Sequence, residues 1–172
     1  MKCLVFLTAG ALLACVQSAY AAIGIAPYVD CAEPEVIKVL AKNVSSVSIT
    51  VEESSLPWSY SSRALVFVGY EISSGKATKL RQHRPVADYF GEVELESGGV
   101  IIGEISLSHL FVDYDEAHSS GDLIIFYEVD DSYSDKGAYI GGQGLLFIPK
   151  KKVFSSSCPS IIRSAGVAGR KQ

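Results

Sequence analysis

The chain reads as an all-β domain of antiparallel sheets, and three features of its 172 residues predict this. Short apolar or alternating runs are separated by Gly, Ser, Pro and Asp, the punctuation of strands and turns. Two runs, Ala64–Ile72 (ALVFVGYEI) and Leu123–Val129 (LIIFYEV), are apolar on both faces, as central strands of packed sheets are. Nowhere does a long amphipathic helix, an internal repeat or a domain-splitting linker interrupt that rhythm.

The first element is not part of the fold. Lys2, the apolar run Cys3–Val16 and the small-x-small site Ala19-Tyr20-Ala21 have the order of a signal peptide over residues 1–21. An apolar run of about fourteen residues is too short to span a hydrocarbon core of about 30 Å. The mature chain is therefore expected to begin at Ala22, in a secreted or periplasmic location. Leu12-Leu13-Ala14-Cys15 also resembles a lipobox, the alternative being an outer-membrane or cell-surface lipoprotein anchored through Cys15.

Strands follow in sequence. Val36–Ala41 reads as a strand rather than a short helix, because β-branched residues begin it and it is short. Asn43 to Ser46 turns the chain, and Val47–Val51 alternates with period two. Leu56-Pro57-Trp58 breaks the pattern, since Pro57 cannot donate to a ladder. After Ala64–Ile72, Ser73-Ser74-Gly75 turns and Ala77–Leu80 returns as a hairpin partner. Phe90–Glu96 and Val100–Leu107, joined by Ser97-Gly98-Gly99, predict a second hairpin. Phe111–Gly121 reads as an acidic loop with room for one helical turn; Leu123–Val129 and Leu145–Ile148 complete the set. Seven or eight strands predict an immunoglobulin-like β-sandwich over residues 22–160, with a small β-barrel as alternative and a flexible tail over 161–172.

In texture, AKNVSSVSITVEESSLPW and ELESGGVIIGEISLSHLF resemble segments of bacterial immunoglobulin-like accessory domains. The resemblance is architectural, covers about 18 residues each time and carries no site residue.

Charge and cysteines narrow the function. The full chain has net charge −4; loss of Lys2 leaves 14 basic and 19 acidic side chains, or −5. Such a domain repels phosphate backbones, which excludes nucleic acid as its main partner. It offers a membrane contact only if Cys15 is lipidated. Cys3 and Cys15 fall in the leader, so Cys31 and Cys158 are expected to pair as a disulfide joining the two ends of the domain.

No motif predicts catalysis, and no cofactor is expected. His83, His109 and His118 lack a nucleophile context such as Gly-x-Ser-x-Gly. Asp113, Asp115, Glu116 and His118 are weak metal candidates, read first as solubilising loop acids, as are Glu128, Asp130, Asp131 and Asp135. The aromatics Trp58, Tyr60, Tyr89, Phe90, Tyr114, Tyr133 and Tyr139 fall in loops or at strand ends, where they would form a binding surface or plug the core. Lys79, Arg81, His83 and Arg84 suit an anionic group or a charged strand edge. Asn43-Val44-Ser45 is a glycosylation sequon if the source is eukaryotic and turn chemistry if it is bacterial, as the leader favours.

These features predict a non-enzymatic binding domain that contacts a protein or glycan through aromatic loops. The alternatives are an inhibitor or immunity protein that blocks a secreted hydrolase, and a structural or adhesive envelope subunit. Intact-mass analysis checks the frame: the secreted protein should start at Ala22 and weigh two hydrogens less than its sequence, whereas a lipid-bearing Cys15 would overturn the soluble form.

Overall fold

The computed structural model describes residues 22–30, 33–59, 64–83, 91–130 and 138–151, and the all-β class predicted from the sequence is what forms. The leader, Cys31, Cys158 and the tail lie outside the described residues. Ten strands are described: β1 (Ala22–Asp30), β2 (Glu33–Asn43), β3 (Ile49–Glu52), β4 (Leu65–Ser73), β5 (Lys76–Lys79), β6 (Glu92–Leu95), β7 (Val100–Ser106), β8 (Asp122–Val129), β9 (Ala138–Ile140) and β10 (Gln143–Ile148). A 3₁₀ turn covers Glu53–Ser55, and two short helices, α1 (Leu107–Leu110) and α2 (Tyr114–Ser120), separate β7 from β8.

The first sheet has the order β7-β2-β1-β9. Alternation in β2 turns Ile37, Val39 and Ala41 into the core, each fully buried, against Ile23 and Ile25 of β1 and Ile105 of β7. Strand β1 is absent from the sequence reading because Gly24 and Pro27 punctuate it. Pro27 is tolerated because β9 pairs only with Ala22–Gly24, so among the described residues β1 has no neighbour on that side at Pro27.

The second sheet has the order β10-β8-β4-β5, with β4 and β8 central. Leu65 and Phe67 of β4, Leu123 and Ile125 of β8 and Ile148 of β10 face the same core as the first sheet. The expected β4–β5 hairpin forms, closed between Ser73 and Lys76. Ser74 (φ 53°) and Gly75 (φ 75°) both have positive φ, the type I′ geometry whose twist matches two paired strands.

The second expected hairpin does not form. β6 pairs with β3 in a two-stranded sheet, and β7 pairs with β2 in the first sheet. The turn between β6 and β7 has the Gly99 N–H bonded to the Glu96 carbonyl (2.8 Å) and positive φ at Gly98 (76°) alone. That is type II chemistry, which splays flanking strands instead of closing a two-residue hairpin. The chain jogs and continues, so β6 and β7 together run antiparallel to β3 and β2 along one long ribbon.

Asn43, the chain's only asparagine, sits where both arms of this ribbon jog, and it is fully buried. Its Nδ2 donates to the carbonyls of Val47 (2.8 Å), Leu95 (2.9 Å) and Glu96 (3.0 Å). Its Oδ1 accepts from the Ser45 N–H (2.9 Å) and hydroxyl (2.6 Å). Main-chain bonds to Gly99 O (2.9 Å) and from Gly98 N (3.0 Å) complete the junction. Asn43 does not have positive φ, so the left-handed turn role expected for it is replaced by side-chain bridging. The sequon reading is also overturned: Nδ2, the atom a glycan would occupy, is engaged inside the fold.

Asn43→Ala takes one donor from each of these carbonyls, of which Glu96 keeps the Gly99 N–H and Val47 the Ser45 hydroxyl, and should cost about 2 kcal/mol in urea unfolding. Asn43→Asp keeps the shape but sets carboxylate oxygen against three carbonyls, and should cost at least as much. A mild Asn43→Asp would mean that packing, not donation, holds the junction.

Candidate interaction surface

The aromatic residues expected to form a binding surface are, where described, part of the interior. Tyr114 and Tyr139 are buried at 1% and 6% exposure. The Tyr139 hydroxyl donates to the Ser55 carbonyl, across from the 3₁₀ turn. Trp58 is half-buried and lies flat against Gly103 of β7, so that a Cβ there would enter the indole ring. The core-plugging alternative therefore describes these three. Tyr60, Tyr89, Phe90 and Tyr133 lie outside the described residues.

The acidic segment is not a metal centre among the described residues. Phe111 and Tyr114 anchor α1 and α2 to the core, which turns the expected loop into two packed helical turns. His118 faces inward: Tyr114 Oη lies 3.0 Å from Nδ1, and Pro149 O lies 3.1 Å from Nε2. A carbonyl only accepts, so Nε2 carries the proton and Nδ1 accepts from the tyrosine. Both ring nitrogens are thus used. Asp113 faces elsewhere, accepting from the Arg81 N–H (3.1 Å) and guanidinium (3.4 Å), while Asp115 and Glu116 are exposed. The basic stretch does not converge either: Lys79 lies on β5, Arg81 meets Asp113, His83 is exposed, and Arg84 is outside the described residues.

Burial raises the ionisation range of three tyrosines. It pushes Tyr139 up to about 12, and raises Tyr127 from its ordinary value. Tyr114 is pushed above the ordinary range by burial first, then by the Glu35 and Asp115 carboxylates.

The unexpected surface is the outer face of the β10-β8-β4-β5 sheet. Register places Val68, Phe126 and Leu145 side by side, and Tyr70, Ile124 and Phe147 in the next row on the same face. Val66 and Ile72 extend the apolar column along β4. Val66, Phe126, Leu145 and Phe147 are each between 44% and 49% exposed. Tyr70 and Phe126 hold an edge-to-face contact (centroids 6.1 Å, planes at 85°) that fixes the middle of the face. Charges flank it: Glu128 opposite Val66, and Lys79 opposite Tyr70.

The outer face of the first sheet is mixed: it carries exposed Val100, Ile102 and Ile140, but charges interrupt them. There Lys38 pairs with Glu33 (2.7 Å) and Asp30 (3.6 Å) and lies opposite Glu104 of β7. The Glu33 hydrogen bond is the main reason that the Lys38 ammonium is held above its ordinary range. Ion pairs of this kind are what a solvated sheet face carries. The second sheet lacks them at its centre, and the signal for this was present in the sequence. Strands β4 and β8 are apolar on both sides, but the described fold covers only one side.

No family model, curated protein or solved structure matches this chain, so the functional reading rests on its own geometry.

Alkaline titration tests the interior placement of the aromatics. An unfolded tyrosine ionises near pH ~10. Because folded Tyr139 keeps its proton up to about 12, the folded state binds more protons than the unfolded state between these values. Stability should therefore be intact below pH ~10 and fall as pH rises beyond it. Phenolate absorbance should show exposed tyrosines titrating first, with Tyr114 and Tyr139 ionising only as the fold opens. Titration of every tyrosine in one early step would contradict the burial.

Proposed function

We propose that this chain is a secreted, non-enzymatic domain that works by protein–protein contact, using the outer face of the β10-β8-β4-β5 sheet. One observation supports this above others: six aliphatic and aromatic side chains stand in two adjacent rows on three strands, with no charge among them. Four half-exposed large side chains present on the order of 400 Å² of apolar surface, the size of the largest patch on a typical monomer, which is often functional. A protein surface is the partner class that such a face suits. A glycan would call for convergent hydrogen-bond donors and acceptors, which these rows lack.

The contact is thus moved from loops to a sheet face. An inhibitor would need a protruding loop, Phe111–Ser120 or Asp130–Gly144; the first is packed against the core and carries α2, and residues 131–137 of the second lie outside the described residues. The structural-subunit reading shares the proposed mode of contact and is the closest alternative.

Site-specific photocrosslinking in the organism of origin tests the proposal. A benzoylphenylalanine at Phe147 should give a discrete protein adduct of the secreted chain, and one at exposed Glu92 should not. Absence of a protein adduct at Phe147, or equal labelling at both positions, would overturn the reading.

A further inference from the structure

We infer that the partner of this sheet face is a second copy of the chain, stacked face to face about a two-fold axis. The inference rests on the proposed protein contact and names its occupant.

The described end of the chain does not turn onto this face. Beyond β10, the Lys150 N–H bonds Asp122 Oδ1 (2.8 Å), and Lys150 Nζ bonds the Ser120 carbonyl (2.8 Å). Lys151 Nζ then meets Glu35 of β2 at 3.4 Å. These contacts tie the described end of the chain to α2, β8 and β2, and leave Phe126 and Phe147 half exposed. An anionic lipid surface is opposed by charge, since the mature chain carries 14 basic and 19 acidic side chains, a net −5.

Area and composition fit a second copy. A standard interface takes about 800 Å² from each partner, and homodimer interfaces are about 65% apolar, so each copy needs roughly 500 Å² of apolar surface. Val66, Phe126, Leu145 and Phe147 supply most of it, and half-buried Val68, Tyr70, Ile72 and Ile124 lie among or beside them. An interface core is depleted of charge whichever partner supplies it, so what favours a second copy is the self-complementary placement of charge around that core.

The flanking charges supply a register. Glu128 lies on β8 one row above Phe126, and Lys79 lies on β5 level with Tyr70, so they occupy opposite corners with Val68 near their midpoint. A two-fold axis in the interface plane, passing close to Val68, sets Lys79 of each copy over Glu128 of the other. With strands about 4.8 Å apart and a rise of about 3.3 Å per residue, the two sets of strands then cross near perpendicular. Near-perpendicular crossing is one of the two ways in which sheets pack face to face. The same rotation lays Phe126 of each copy into the opposing apolar rows.

Sedimentation velocity on the full mature chain reads the outcome, at concentrations up to the hundred-micromolar range. The wild type should show a monomer–dimer equilibrium. Phe126→Glu should weaken the dimer by about a hundredfold or more, because it buries a charge in the centre of the interface. Phe126 is half exposed in the monomer, so circular dichroism and the melting temperature of the monomeric variant should match those of diluted wild type. Lys79→Glu and Glu128→Lys should each weaken association by about tenfold, and the double reversal should restore it. A monomer throughout this range, or a dimer indifferent to Phe126→Glu, overturns the inference. Failure of the double reversal to restore association overturns the Lys79–Glu128 register. A monomer that still gives a heterologous protein adduct at Phe147 removes only the second copy, whereas no protein adduct removes the underlying reading as well.

Discussion

One buried amide organises this domain. Asn43 stands at the point where two antiparallel arms, β2–β3 and β6–β7, leave one sheet and enter another. At such a jog the ladder is interrupted, and carbonyls that would have met a partner strand are left pointing into the interior. An asparagine side chain is the economical solution, because it carries donors and an acceptor on one short, neutral stem. Here it spans both arms: two of its acceptors, the Leu95 and Glu96 carbonyls, lie more than fifty residues away in sequence. Aspartate lacks the donors, and serine cannot serve three carbonyls while accepting from Ser45. The chain uses asparagine once, and uses it there.

The rest of the packing follows from that junction. Once the ribbon is bent, β2 and β7 present Ile37, Val39, Ala41 and Ile105 to the core, and β3 and β6 extend it with Ile49 and Leu95. Gly103 can then receive the indole of Trp58, and the Tyr139 hydroxyl can reach Ser55 beyond β3. All this material is applied to the inner face of the β10-β8-β4-β5 sheet. Nothing in the described fold is left to cover the outer one. A sheet whose central strands are apolar on both sides needs two covering layers, and the described residues supply one.

Much of this was legible in the residues. Period-two alternation identified β3, and two-sided apolar runs identified β4 and β8 as central strands. Ser73-Ser74-Gly75 marked a hairpin by composition, and positive φ at both Ser74 and Gly75 gives the turn the hand that closes it. Ser97-Gly98-Gly99 misled for a related reason: composition marks a turn, but the hand of the turn depends on which residue has positive φ, and only Gly98 does. Strand β1 was hidden by Pro27, which is tolerable only because β9 stops at Gly24, a fact of tertiary pairing. The aromatics misled because Trp58, Tyr114 and Tyr139 have polar tips that look like surface chemistry. Their hydroxyl or ring faces instead find partners inside. Conversely, the apolar face was read as core, since hydrophobicity alone does not say whether the same chain or another one covers it.

The open face of the second sheet stands beside a chain end that polar contacts hold in place. Strand β10 ends beside α2, where the Pro149 carbonyl accepts from His118 and the Lys150 amide from Asp122. These contacts turn the chain under the sheet, and the Lys151–Glu35 pair carries it to the beginning of β2. Cys158 follows seven residues later, a reach of up to about 23 Å if extended. Cys31 lies four residues before Glu35 in sequence. Disulfide pairing is therefore within the reach of the chain as routed. The polar contacts of Pro149, Lys150 and Lys151 thus fasten the described end of the chain to α2, β8 and β2, and among the described residues nothing is left to lie over Phe126 and Phe147.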